Sequence, residues 1–428
     1  MNTAVSSHFI IKKGPRLSQK GAPIQNIEAD FSTEKAAILG VDYPDLKPKF
    51  CVKLGEQVSR GQTVFTDRRH PEVAFASPIS GIISEMEYGP RRTLSSLIVK
   101  HENVDGGDTT ETNNTIKDAA NTDIRSTLLS NGMWPKFLTR PFGRIPAPDA
   151  VPSAIFVNAT QASKLAPDPR VVLKGHEDTF SYGIRLLKRL LDGPVYVCQR
   201  PCNRYFSDKV EGIETHFFQG SYAAGLSGTH INRLHKLGPK RQVWTIGYQD
   251  VLAIGHLFET GQYLAKRVIS IVGSAIPHPI LVRTNMGASL PEIIEKTSAS
   301  KPLKKPTEIC SGDDVSGFIS EFLGSRHQQV TITERRIPKG YSKLLSVLTA
   351  ASSALVPTAA LEKALALDIL PVPLMRALNV GDTEAALRLG CMELVEEDVS
   401  ALSKFCASGV NYEELLRHVL NELAEDTA

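Results

Sequence analysis

Three stretches hold residue types that could do chemistry: GTHINRLH, VCQRPCNR and GSYAAGLSGT. In the first, His230 and His235 are five positions apart, so a helix would turn them to different faces; with neither HExxH nor a nearby carboxylate, a zinc site is not completed. Both read as solvated or locally hydrogen-bonded. In the second, Arg200 and Arg204 could activate Cys198 or Cys202 as a thiolate, yet a strand end followed by Pro201 reads more simply as packing. The third, Gly220 to Thr229, is neither GxGxxG nor a phosphate loop, and no lysine follows it. His256, within AIGHLF, reads as a satisfied, partly buried histidine. There is no GxSxG elbow, no CxxC and no cysteine run that would hold an iron–sulfur cluster. The expectation is a chain with no catalytic constellation and no metal site of its own.

One further pattern invites a covalent reading. Lys53 to Ser84, KLGEQVSRGQTVFTDRRHPEVAFASPISGIIS, has the layout of a biotinyl or lipoyl barrel, whose modified lysine sits at a hairpin tip eight positions before the proline of the second glycine turn. Counting back from Pro78 reaches His70, and an imidazole cannot form the amide that holds either cofactor. The stretch therefore resembles a carrier barrel without its arm, used for packing and docking.

The elements that would hold these residues follow from composition and period. At 428 residues, 42% hydrophobic and 22% charged, the chain is long enough for several domains of ~100–200 residues. A net charge of +3 gives no whole-chain field for nucleic acid. Six scattered cysteines suit a reducing compartment, and MNTAVSSHFIIKKGPRLSQKG lacks the continuous apolar core of a secretory signal. The uncharged run Leu344 to Leu361 is too short and too rich in hydroxyls, with Pro357 inside it, for a membrane span. Polar, glycine-rich residues 105–122 and KTSASKPLKKPTE within 296–308 read as linkers. Before the first, FIIK, AAILG, TVFT, VAFA, GIIS and SLIVK predict a small all-β unit. After it, SAIFVNAT, then DTFSYGIRLLKRLLDG capped by Asp178 or Thr179 and ended by Gly193, then GPVYVCQR form a βαβ unit with a parallel sheet. RVISIVG, HPILVRT and LPEIIEK suggest a smaller β-rich module ending in a helix. From about Pro338 the chain reads as helical, with GDTEAALRLG capped by Asp382 or Thr383 and stopped by Gly390.

The long strings carry more than the motifs. GMWPKFLTRPFGRIPAPDAVPSAIFVNAT, SGTHINRL, QVWTIGYQDVLAIGHLFETG, LVRTNMGASLPEI and GDTEAALRLGCMELVEEDVSALSKFC closely resemble the A subunit of the bacterial sodium-translocating NADH:quinone reductase, from about Phe9 to Leu420. The chain departs from the family pattern at Ala407, Ser408 and Gly409 after Cys406 and in a shorter stretch from Cys310 to Ile337. The resemblance implies a multidomain α/β and α+β chain: an armless barrel-sandwich domain over 8–104, a Rossmann-like domain without a nucleotide fingerprint over 123–262, a small β-grasp (SLBB-like) module over 263–336 and a helical domain over 337–428. It implies a peripheral subunit on the cytoplasmic face of the inner membrane, without a transmembrane helix, beside five other subunits and above all the quinone-reducing, membrane-embedded B subunit. Flavins and iron–sulfur centres would lie in those partners, with no cofactor here, and Na+ would cross elsewhere. If this chain touches ubiquinone, His230, Tyr248, Gln249 and His256 are the expected contacts, being polar within apolar strings that match the family. The competing reading is a free-standing scaffold or binding protein that reuses the armless barrel. Purified protein is expected to be colourless; a yellow preparation with a flavin spectrum would contradict the cofactor-free reading.

Overall fold

The computed structural model describes residues 6–15, 17, 21–101, 123–201, 205–206, 210–235, 237, 241–298, 307–334 and 355–426. Residues 105–122, Cys202, Arg204, most of the second linker and the run from Leu344 to Ala354 lie outside them. Among the described residues no helix is long and apolar enough to cross a membrane.

After β1 (His8–Ile11) and β2 (Ile27–Phe31), seven strands form two small antiparallel sheets. They are β3 (Lys35–Leu39), β4 (Pro48–Phe50), β5 (Gln57–Val58), β6 (Thr63–Asp67), β7 (Ala74–Ala76), β8 (Gly81–Tyr88) and β9 (Leu94–Lys100), ordered β3-β9-β8-β5 and β4-β6-β7. Alternation turns Val64, Phe75, Ile83, Leu97 and Val99 inward, and Phe65 stacks on Phe75 at 4.5 Å. His70 stands in the β6–β7 turn, where Val73 N donates to its carbonyl at 2.9 Å.

The α/β unit contains α1 (Ile124–Ser130), β10 (Leu138–Arg140), β11 (Ala154–Ala159), α2 (Pro169–Leu173), α3 (Glu177–Lys188), β12 (Val195–Gln199), β13 (Ile213–Gly220), α4 (Ser227–Leu234), β14 (Val243–Gly247) and α5 (Tyr248–Thr260). Its sheet runs β1-β13-β12-β11-β14-β10, parallel except for β10. β12 is buried at every position, which is why VYVCQ reads as a continuous apolar run rather than an alternation. Helix α3 begins and ends earlier than its sequence signals suggested. His176 is the N-cap, Thr179 lies inside the helix and donates instead to Glu259 at 2.7 Å, and the helix closes at Lys188, before Gly193. Gly193 serves a different purpose, since a Cβ there would sit 2.1 Å from the Ser153 carbonyl.

β15 (Lys266–Val272), β16 (Ile280–Asn285), α6 (Leu290–Ser298), β17 (Thr307–Ser311), β18 (Phe318–Ile319) and β19 (Gln329–Glu334) build the third sheet, ordered β18-β17-β19-β15-β16-β2. The last strand returns beside β15 and parallel to it. The first two strands, inside the stretch expected as the barrel domain, thus pair elsewhere. β1 continues the α/β sheet, with Phe9 stacked on Phe218 at 4.8 Å, and β2 lies parallel to β16.

The remaining helices are α7 (Ala359–Glu362), α8 (Pro371–Val380), α9 (Thr383–Arg388), α10 (Glu396–Phe405) and α11 (Tyr412–Asp426). Of the two cap candidates for α9, Asp382 accepts from Ala385 N at 2.8 Å, and Gly390 follows with φ 92°. Leu374, Leu402 and Leu416 share one core with Phe156, Tyr196 and Phe218 of the α/β sheet. A buried ionic joint fixes this contact. Arg140, 1% exposed, pairs with Asp398 at 2.5 Å and with Glu397 at 2.9 Å, and donates to the Glu393 carbonyl at 3.0 Å.

Removing one member strands the other charge. Arg140→Leu should cost roughly 3–5 kcal/mol in denaturant melts, and Arg140→Leu/Asp398→Leu should recover much of that; a single-variant loss under ~1 kcal/mol would contradict the buried pair.

Candidate functional site

Where a doubly wound sheet usually takes a nucleotide, this chain has filled the crevice itself. The order β13-β12-β11-β14 places the reversal of strand order between β11 and β14, which run parallel. There Asn158 Nδ2 donates to the Gly225 carbonyl at 2.9 Å and to Ser227 Oγ at 3.1 Å. A Cβ on Gly225 would lie 2.3 Å from Ala162 N, so the glycine-rich stretch packs against the first βα loop and leaves no phosphate cradle.

A pocket opens instead where the barrel, the α/β unit and the third sheet meet. It is a partly open depression with a small interior of about 30 Å3, and its walls include Asp42, Tyr43, Phe75, Lys136, Tyr263 and Met286. Two glycines bring the walls together. Gly132 and Gly287 have φ of 69° and 67°, and added Cβ atoms would lie 2.6 Å from Ala76 Cβ and 2.0 Å from the Ala37 carbonyl.

Lys136 ends the turn Trp134–Lys136, which Pro135 begins and an aromatic cluster pins. Trp134 meets Trp244 edge-on at 5.2 Å and donates Nε1–H to the Pro146 carbonyl at 2.8 Å. The lysine is 8% exposed, and its ammonium donates to the Met286 thioether at 3.2 Å, a weak acceptor. Burial lowers its pKa from 10.5 to about 8, opposed by Asp250 and Asp42, with nearby Arg267 and Arg326 also lowering it. Behind Met286, Arg267 pairs with Asp250 at 2.5 Å.

Arg326 closes the junction. Its guanidinium donates to the Asp42 carbonyl at 2.6 Å and the Pro135 carbonyl at 3.1 Å, and lies 5.5 Å from the Tyr43 ring centre. Asp42 accepts from Ser325 N at 2.8 Å, and burial pushes its carboxyl upward against the pull of His327 and Arg326. Chemically, the pocket offers an amine donor, a carboxyl and aromatic walls, with a surplus of cationic groups behind.

The sequence candidates fall elsewhere. Gln249 exchanges two 2.9 Å bonds with the backbone of Val268, so its amide is spent joining α5 to β15; Tyr248 is fully buried beside it, with its hydroxyl 3.4 Å from Gln249 Nε2. His230 is fully buried on α4, bonded to the Ala224 carbonyl at 2.9 Å and 4.3 Å from the Phe218 ring; burial lowers its pKa to about 4. His256 is half-buried on α5 near Glu259 and His176. None of the four is among the residues that line the pocket. His235 meets Ser153 Oγ at 3.0 Å, and burial pushes the Cys198 thiol well up, which suits packing rather than reactivity. No motif marks Lys136, Asp42 or Met286; the one available signal is a lone lysine inside the aromatic run MWPKF.

These features define a multidomain α/β protein whose carrier-type barrel lacks an attachment lysine and whose domains meet through buried ionic joints. Residues 9–102 match the family description "NqrA N-terminal barrel-sandwich hybrid domain" and residues 119–263 match "NqrA second alpha/beta domain". The chain is 37% identical to the A subunit of the Na(+)-translocating NADH-quinone reductase of Neisseria meningitidis serogroup A over 450 residues, covering 97% of this chain and 99% of that protein. The corresponding A subunits of Neisseria gonorrhoeae and Actinobacillus pleuropneumoniae are each 36% identical with the same coverage. The chain belongs to the NqrA family, the A subunits of the bacterial Na(+)-translocating NADH-quinone reductase.

The lysine gives a pH signature. Below pH ~8 it is charged in both folded and unfolded chains and its burial costs stability; between ~8 and ~10.5 only the unfolded chain keeps the proton, so the cost is relieved. Relative to Lys136→Met, the wild type should gain of the order of 3 kcal/mol from pH 7.5 to 10.5. Parallel stability curves would contradict the buried amine.

Proposed function

We propose that this chain is a cofactor-free peripheral subunit of the complex and that its junction pocket receives the headgroup of a quinone. The observation that carries the reading is Lys136, a buried amine facing a partly apolar pocket with a thioether as acceptor. A quinone carbonyl is a better acceptor than a thioether, and a charged donor strengthens the bond. Tyr43, Phe75 and Tyr263 offer faces for a flat ring. Of the four sequence candidates, Tyr248 and Gln249 support the reading indirectly, because Gln249 holds Val268 beside Arg267 and Asp250 belongs to the same helix.

Flavins, iron–sulfur centres and the Na+ path then belong to partner subunits, with the membrane-embedded B subunit the neighbour that this chain covers from the cytoplasmic face. The reading of a peripheral place is supported by the relatives, which are A subunits of a multi-subunit reductase; among the described residues no helix is long and apolar enough to cross a membrane. The third sheet, a hairpin, a helix and a central strand parallel to the first, suits a β-grasp-like module that closes the pocket from one side.

The test is titration of the isolated chain with a short-chain ubiquinone, followed by tryptophan fluorescence and calorimetry. Lys136→Met should weaken binding at least tenfold, His230→Ala and His256→Ala should leave it unchanged, and wild-type affinity should fall as pH rises past ~8. Binding unaffected by Lys136→Met, or lost in His230→Ala, would reject the junction site.

A further inference from the structure

One end of the barrel concentrates cations that no motif or pocket uses. The β8–β9 turn holds Arg91 and Arg92 at φ 54° and 61°, two successive non-glycine residues in the left-handed region, and both are exposed. Gly89 N donates to the Thr93 carbonyl at 2.8 Å and Thr93 N to the Pro90 carbonyl at 3.1 Å, so the strained tip is defined rather than loose. Main-chain bonds place more cations beside it. Leu94 N donates to the Leu46 carbonyl at 3.1 Å, and Arg68 N to the adjoining Lys47 carbonyl at 2.8 Å, so Lys47 lies between the tip and Arg68, with Lys49 next along β4.

Lys47, Lys49, Arg68, Arg91 and Arg92 are all exposed, and among the described residues none of them forms a salt bridge; Glu85 and Glu87, exposed on the same hairpin, subtract two charges. Tyr88, 53% exposed, stands at the base of the tip with its ring 5.3 Å from Phe50. The chain as a whole carries only +3, so this is a local feature.

We propose that this end of the barrel docks on an anionic phospholipid surface, with the arginines and lysines among the headgroups and Tyr88 at the interface. Charge complementarity supplies the attraction, and an aromatic ring with a polar tip suits the headgroup level. An arginine cluster can also take an acidic peptide; exposed cations spread over a hairpin tip and the adjoining β4 and β6–β7 turn, with exposed Tyr88 at their base, suit a plane of headgroups instead. The inference rests on the peripheral-subunit reading and specifies the face that meets the membrane.

The experiment is cosedimentation of the full chain with vesicles of phosphatidylglycerol and phosphatidylcholine, and with phosphatidylcholine alone. Binding should require the anionic lipid and decline with salt. Arg91→Glu/Arg92→Glu should weaken it at least about tenfold, while Lys174→Glu, an exposed lysine on the α/β unit, should not change it. No binding to anionic vesicles, equal binding to both, or an unaffected double variant would overturn the proposal. Copurification of partner subunits from native membranes tests the subunit reading separately. If Arg91→Glu/Arg92→Glu abolished that assembly in detergent without weakening vesicle binding, the face would belong to a protein partner and the lipid proposal would fall.

Discussion

A guanidinium at a domain junction needs acceptors, and half-buried Arg326 finds two in main-chain carbonyls of the other domains, while its buried Nε has no partner. Asp42 belongs to the barrel, Pro135 to the α/β unit and Arg326 itself to the third sheet's loop. The three units are therefore held at one point, and the mutual position of their walls follows from it. Gly132 and Gly287 allow the approach, Gln249 stitches α5 to β15, and the first two strands thread the other sheets before the barrel begins. The pocket is what remains between surfaces held this way.

Ionic joints of this kind add little net stability, because desolvation consumes most of the attraction; what they fix is geometry. The pairs Arg140–Asp398 and Arg267–Asp250 each join separate elements at buried positions, where a shift would leave a charge without its partner. Lys136 differs from both. The carboxylates nearest to it, Asp250 and Asp42, pull its pKa up without pairing with it, and burial together with the Arg267 and Arg326 charges outweighs them, which leaves a donor at the wall of the pocket.

Much of the fold was legible in the sequence because its signals are local. Alternation gave the barrel strands, continuous apolar runs gave β11, β12 and β14, and Asp382 with Gly390 marked α9. The missing arm could be counted from Pro78 back to His70. What local signals do not carry is pairing between distant segments. FIIK looks like a barrel strand, yet it joins a sheet whose neighbouring strand lies more than 200 residues away, as the register His8 to Phe217 shows. The pocket was illegible for the same reason, since its walls come from residues near 40, 75, 135, 263, 286 and 324. His230 and Gln249 attracted notice as polar residues in apolar strings; the Gln249 amide is spent on Val268, while His230 bonds Ala224 through Nε2 and keeps its buried Nδ1 without a partner.

The central claim is that Lys136 is a desolvated amine held at a closed junction of three units. Its pKa can be measured directly by NMR on chain carrying 13C-dimethylated lysines, with Lys136→Arg to assign the signal. A midpoint near 8, well below the other lysines, is the expected result. A midpoint near the ordinary 10.5 would mean that the amine is solvated and that the junction does not form as described.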